Sequence, residues 1–175
     1  MHWNVRVLLA FLLAYLDSTF KGAEDVEARL GVPMLGLLPI TKSKKKTDVA
    51  QPVFLEEGMQ GFAEAMRTVR TGVVLSSIDS PHQVVVVTSS VPSEGKTTTS
   101  LNLAIAMGQM EKVLLIDADM RRPSVAKACG IPGASPGLSN LVAGSADMSQ
   151  TIHHLADGNI DVLTAGLIPP NPLEL

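Results

Sequence analysis

The sequence has one cysteine, Cys129, and one tyrosine, Tyr15. A disulfide needs two cysteines, so a bridge-stapled secreted domain is excluded. Neither sign of charge dominates: 14 basic and 17 acidic residues leave a net charge of −3. There is therefore no global basic field to drive nucleic-acid binding. No apolar run reaches the roughly 20 residues a membrane-spanning helix needs. The longest, VLLAFLLAYL from Val7 to Leu16, would make a helix only about 15 Å long. Arg6 precedes it, but Asp17-Ser18-Thr19-Phe20-Lys21 is a poor cleavage site, which argues against a signal peptide. Two readings stay open: a buried or interfacial helix, or the last half of a transmembrane helix. Aromatics are scarce at 3%, but hydrophobic residues reach 46% against 18% charged. That balance describes a folding chain rather than a disordered one. A length of 175 residues suits one domain of roughly 100–150 residues plus an appendage.

Past the apolar run, Gly22 to Gly31 leads with Glu24 and Asp25, trails with Arg29 and stops at a glycine, which predicts a short helix. Val32 to Ile40 reads as a short apolar strand between prolines. Residues 41–52 are polar, with Lys42, Lys44, Lys45 and Lys46 clustered and Pro52 closing the stretch. They predict a linker. The same lysines would suit a juxtamembrane cluster that feels anionic lipid. A helix is expected from Phe54 to Ser76, because Phe62, Met66, Val69 and Val73 make one apolar stripe. Glu64 and Arg67 can pair within it. Gln83 to Thr88, QVVVVT, reads as a strand buried on both faces, and Lys112 to Asp117, KVLLID, as another. With helix Thr97 to Met110 between them, the expectation is a βαβ unit of an α/β domain. A short helix over Gly137–Ala143 and a third strand over Ile160–Thr164 complete the reading.

Ser90-Val91-Pro92-Ser93-Glu94-Gly95-Lys96-Thr97 carries the strongest chemical signal. It matches G-x-x-x-x-G-K-[ST], with Ser90 in place of the first glycine. Such a loop turns its backbone N–H groups onto phosphate oxygens, at the N-terminus of a helix whose dipole favours anions. Gly95 lets the backbone pass close to the phosphates. Lys96 is placed to reach the β and γ phosphates, and Thr97 to ligate Mg²⁺. The nucleotide-binding residues are therefore expected to be Ser90, Ser93, Glu94, Gly95, Lys96, Thr97 and Thr98. Downstream, Asp117 and Asp119 stand at the C-terminal end of a strand, the edge where open α/β sheets bind ligands. Beside the phosphate loop they would hold metal-bound water or take a proton from an incoming hydroxyl. Lys96, Asp117 and Asp119 are the catalytic candidates, and Thr97 and Asp117 the metal candidates. Arg121 and Arg122 suit phosphate or an acidic neighbour. Cys129 has no catalytic partner in view and reads as a small core residue. The adjacent His153 and His154 suit no metal site.

These motifs resemble the Walker A and A′ motifs of the bacterial tyrosine kinases of capsular and exopolysaccharide export. Arg121-Arg122-Pro123, Gly137-Leu138-Ser139 and Ala165-Gly166-x-x-Pro169-Pro170-Asn171-Pro172-x-Glu174-Leu175 are similar to the family as well. Glu64-x-x-Arg67-x-x-Arg70 resembles the family's element for ring-like self-association. Tyr15-Leu16-Asp17 through Gly36-Leu37-Leu38-Pro39 is similar to the segment joining a Wzz-type chain-length domain to the kinase domain. The resemblance implies an α/β P-loop NTPase fold, with a mostly parallel sheet and flanking helices. It further implies ATP and Mg²⁺ as cofactors and transfer of the γ-phosphoryl group to protein tyrosines. The implied partners are like subunits through Glu64, Arg67 and Arg70, a Wzz-type membrane region and polysaccharide polymerase and export machinery, with no nucleic acid. The implied location is the cytoplasmic face of the bacterial inner membrane.

On the same resemblance residues 1–20 would be a transmembrane or juxtamembrane remnant, 21–52 a connector, and 53–175 a nucleotide-binding domain incomplete at its C-terminus. A Walker B strand and a tyrosine-rich tail would follow Leu175 in the family. Two alternatives remain at this point. One is a nucleotide-responsive assembly module without catalysis. The other is a ParA/MinD-type ATPase, which carries a lysine directly after the loop's first position, where this chain has Val91.

Overall fold

The structure, a computed structural model, describes residues 2–16, 22–40, 53–55, 58–78, 83–155 and 159–168. The linker expected at 41–52 lies outside the described residues. The chain divides into two units, residues 1–35 and 36–175.

The first unit holds helix α1 (His2–Leu16) and helix α2 (Ala23–Leu30). On α1 Leu8, Phe11, Leu12 and Tyr15 follow one another at helical spacing as an exposed apolar stripe. No helix among the described residues is long and apolar enough to cross a membrane. Helix α2 has the anatomy its charges predict. Glu24 and Asp25 sit in its first turn and Arg29 in its last, and Gly31 closes it at φ 66°. A side chain strains in that left-handed region and glycine does not.

The second unit begins with irregular backbone. The strand expected over Val32–Ile40 is absent. Instead Leu38 packs onto the core of this unit. A single 3-10 turn, Val53–Leu55, precedes helix α3 (Gln60–Ser76). The helix therefore starts six residues later than the Phe54 expected. Gly58, just before the helix, has φ 88°. The stripe itself is as read: Phe62, Met66 and Val73 are buried, and Val69 packs at the edge.

Helix α4 (Lys96–Gly108) lies against α3 and is the most buried element, with Leu101, Leu103, Ala104, Ile105 and Ala106 all in the core. It leads to strand β1 (Val113–Ile116), then to three short helices, α5 (Val125–Ala128), α6 (Leu138–Val142) and α7 (Met148–Thr151), and to strands β2 (Ile152–His154) and β3 (Ile160–Leu163). The sheet runs β1-β3-β2, with β1 parallel to β3 and β2 antiparallel to it.

Two expectations about strands need correction. Gln83–Thr88 forms no ladder, and Val84 and Val86 are about four-fifths exposed, at 80% and 83%. A run of β-branched residues favours strand only where a neighbour takes up its backbone hydrogen bonds, and none of the described residues does. The βαβ unit expected around α4 is thus not closed by strand pairing; the parallel pair is β1 with β3. Strand β1 is also covered on one face only, since Leu114 and Ile116 are exposed and Val113 and Leu115 pack inward.

Polar ties hold the layers in register. Asn102 is fully buried; its Oδ1 accepts the Phe54 N–H at 2.7 Å, and its Nδ2 donates to the Thr98 carbonyl at 2.7 Å. Arg70 donates to the Ala106 carbonyl at 3.0 Å. That carbonyl lies in the last turn of α4, where intrahelical donors run out and a cation suits the dipole. On the central strand β3, Asp161 accepts from His154 Nδ1 and pairs with Lys112 at 3.3 Å. His154 first, and then Lys112, hold the Asp161 carboxyl below the usual range.

Replacing Asn102 with alanine leaves the Phe54 N–H buried without an acceptor, so Asn102→Ala is expected to lose about 1–3 kcal/mol of stability. Urea unfolding checks this, and an unchanged midpoint would contradict the tie.

Candidate nucleotide-binding site

The phosphate-loop motif enters α4 through two left-handed residues. Ser93 has φ 68°, the only positive φ among the described non-glycine residues, and Gly95, the N-cap of α4, has φ 91°. Left-handed backbone at a residue with a Cβ costs roughly 1–2 kcal/mol, and such strain clusters where backbone must present itself to a ligand. Within the loop, Glu94 Oε2 accepts the Val91 N–H at 3.2 Å, and Ser89 Oγ donates to the Val91 carbonyl at 2.9 Å. Val91 to Glu94 are exposed, while Gly95 to Ser100 are half-buried. Lys96 opens the first turn of α4, where N–H groups have no intrahelical acceptor.

The carboxylates have separate surroundings. Asp117 follows β1 directly, and its N–H continues the ladder to the Leu163 carbonyl at 2.9 Å. Its side chain is buried, at 5% exposure. Oδ1 accepts the Asp119 N–H at 3.1 Å; Oδ2 accepts Ser124 N–H at 3.1 Å and Val125 N–H at 3.0 Å. One carboxylate thus folds the whole 117–125 turn around itself and meets the first N–H groups of α5. Asp119 is exposed. Its Oδ1 accepts from the N–H groups of Arg121, at 3.3 Å, and Arg122, at 2.9 Å. Among the described residues no hydrogen bond is made by its Oδ2.

Sequence reasoning relied on neighbouring strands to bring the loop and the aspartates together. The structure joins them by another route, through Ser124. Its hydroxyl lies 2.6 Å from Thr97 Oγ1, and its N–H is the one held by Asp117. Ser124 was not among the residues singled out, since a serine seven positions past an aspartate carries no pattern of its own.

The remaining candidates fall away from this centre. Arg67 pairs with Glu64 at 3.0 Å on the exposed face of α3 and also lies over the Phe54 ring at 5.2 Å. Arg70, in contrast, turns inward to the Ala106 carbonyl. Cys129 packs against the core; burial first, and then the Asp117 charge, push its thiol up to about 11. At neutral pH it therefore holds almost no thiolate, the reactive form. His153 and His154 lie on β2, away from the loop, and no group of acidic, histidine or cysteine residues among those described could enclose a metal by itself. Arg121 and Arg122 are exposed beside Asp119.

Helix α6 starts against the end of β3, where Leu138 N–H reaches the Thr164 carbonyl at 2.7 Å. A Cβ on Gly137 would come within 2.3 Å of that carbonyl oxygen, so only glycine fits there. The C-terminal ends of β1 and β3, with Asp117, therefore form one edge of the sheet.

Comparison with known proteins gives consistent results. The CobQ/CobB/MinD/ParA nucleotide binding domain matches residues 85–170. Tyrosine-protein kinase YwqD of Bacillus subtilis is 42% identical over 114 residues, which are 65% of this chain and 48% of that protein. Tyrosine-protein kinase etk of Escherichia coli is 36% identical over 113 residues, 64% of this chain and 15% of that protein. The crystal structure of the chimerical protein CapA2B2 superposes with a TM-score of 0.75 at 34% identity, over 87% of this chain and 64% of that one. The chain thus spans about half the length of YwqD and a smaller share of etk.

Proposed function

We propose that this chain, which is similar to bacterial tyrosine kinases and has a P-loop nucleotide-binding fold, is the ATP-binding part of such a kinase, serving polysaccharide synthesis and export. The observation that carries the reading is the Thr97–Ser124–Asp117 connection, a hydrogen-bonded path between the phosphate loop and the aspartate turn. It favours a phosphoryl-transfer site over a phosphate-binding loop alone. The relatives named above are kinases rather than partitioning ATPases, in keeping with Val91 at the second loop position.

In this reading the N–H groups that open α4, with Ser90, Ser93, Glu94, Gly95 and Thr98, cradle the phosphates. Lys96 neutralises charge on the β and γ oxygens. Thr97, Asp117 and Asp119 offer only hard oxygen donors, the set that suits Mg²⁺ shared with phosphates. Bound there, the ion would draw further charge from the phosphates. Asp117 has its oxygens committed to backbone N–H groups and serves chiefly to hold the turn. Asp119, exposed and with one oxygen open, is the better placed to accept the tyrosine hydroxyl proton. Phosphoryl transfer needs little else from a protein than such positioning and charge.

For the membrane, the reading relies on the apolar stripe of α1 and the lysines at 42–46, which suit attachment to the cytoplasmic face of the inner membrane. Residues 53–175 would form the nucleotide-binding domain, with 1–20 and 21–52 leading to a Wzz-type membrane region. For self-association, Glu64 and Arg67 are the exposed pair on α3. They line an open groove of about 610 Å³ with Phe54, Gln60, Gly61 and Ala63. Arg70 supports that surface from behind through its bond to α4.

Calorimetric titration with ATP and Mg²⁺ tests the nucleotide site. Lys96→Met removes a charge-assisted contact and is expected to weaken binding by about tenfold or more; equal affinity would remove the assignment. Arg67→Ala is expected to lower the assembled fraction in light scattering while ATP affinity stays the same. An unchanged mass distribution would sink the α3 interface.

A further inference from the structure

Several hydroxyls in the helices of this protein bond back along their own helix. Thr68 donates to the Glu64 carbonyl, Thr71 to Arg67 and Ser100 to Lys96, each four residues back. Thr97 lies in the first turn of α4, where the residue four back is the left-handed Ser93 rather than a turn of helix. Its hydroxyl turns instead to Ser124, 2.6 Å away. Ser124 is the N-cap of α5, yet its side chain makes no cap bond. Its backbone is fixed without that bond, because the buried Asp117 carboxylate holds both the Ser124 and Val125 N–H groups. The hydroxyl is thus free of the usual capping duty and stands on an anchored backbone.

We propose that Ser124 is a positioning residue of the nucleotide site, accepting the Thr97 hydroxyl proton so that the Thr97 lone pairs face the phosphate loop. The chemistry requires such a partner. A hydroxyl that gives a lone pair to a cation becomes a stronger donor, and its proton needs an acceptor on the side away from the ion. Ser124 Oγ is the acceptor within reach. Groups that orient a metal ligand in this way commonly tune metal affinity as much as the ligand's own identity does. The inference rests on the reading of Thr97 as a nucleotide-site residue. It adds what that reading lacks, a reason for the Thr97 hydroxyl to hold one orientation.

The test is ATP affinity by calorimetry, measured with Mg²⁺ and with excess EDTA, for the wild type, Ser124→Ala and Ser124→Thr. The gain in affinity that Mg²⁺ confers should fall by about tenfold in Ser124→Ala, within the range seen for groups that orient metal ligands. Affinity in EDTA should stay within about twofold of the wild type, because the phosphate cradle is untouched. Ser124→Thr keeps the acceptor and should restore the Mg²⁺ effect. An unchanged Mg²⁺ effect in Ser124→Ala would overturn the assignment, as would an equal loss with and without Mg²⁺, the mark of a merely structural serine. If Ser124→Ala does not fold, failure of Ser124→Thr to show the wild-type Mg²⁺ effect would overturn it. A wild type that binds no ATP would overturn the proposed function and this assignment together, whereas a binding wild type with an insensitive Ser124→Ala overturns this assignment alone.

Discussion

Three backbone N–H groups converge on the Asp117 carboxylate, those of Asp119, Ser124 and Val125. The aspartate is buried, so these bonds act in surroundings where an unpaired donor is costly. They decide the path of the chain from the end of β1 to the start of α5. They also place Ser124 within reach of Thr97, and so connect two motifs more than twenty positions apart in sequence. Through that carboxylate and Ser124 the phosphate loop and the aspartate turn share a hydrogen-bonded path.

The sheet supplies less of this than its sequence promised. Strand β1 uses one edge to pair with β3 and keeps one face of Leu114 and Ile116 open. The valines at 84–86, written for a buried strand, are exposed and unladdered. The site therefore depends on the packing of α4 against α3 and on local polar ties, Asn102 to Phe54 and Arg70 to Ala106 among them. Helix α4 is buried along most of its length, which fixes the N-terminal turn that carries Lys96 and Thr97.

What could be read from the sequence was local, and what could not was pairing at a distance. The phosphate loop was legible because glycine, lysine and threonine each have a separate reason to occupy their positions. The stripe Phe62, Met66, Val69 and Val73 was legible because helical period and burial coincide. Helix α2 was legible from its charges and Gly31. The ladder expected at 83–88 was not secure, because β-branched residues state a preference and not a neighbour. Val32–Ile40 failed for the same reason: it runs as irregular chain, with Val32, Leu35, Leu37 and Ile40 exposed and only Leu38 packed on the core. Arg70 looked like its neighbour Arg67, yet it turns inward while Arg67 stays on the surface. Helical spacing puts Arg70 nearest the edge of the apolar stripe, but that it turns inward follows from the carbonyl at the end of α4. Ser124 was invisible because its role comes from where Asp117 puts it.

The central claim is that the Asp117 carboxylate holds the aspartate turn in place against the phosphate loop. Amide hydrogen exchange on the whole chain tests it most directly. Ser124 and Val125 amides should exchange slowly in the wild type and at unprotected rates in Asp117→Ala, while the amides within β1 keep their protection. Equal protection of Ser124 and Val125 in the two proteins, or fast exchange in the wild type, would contradict the account.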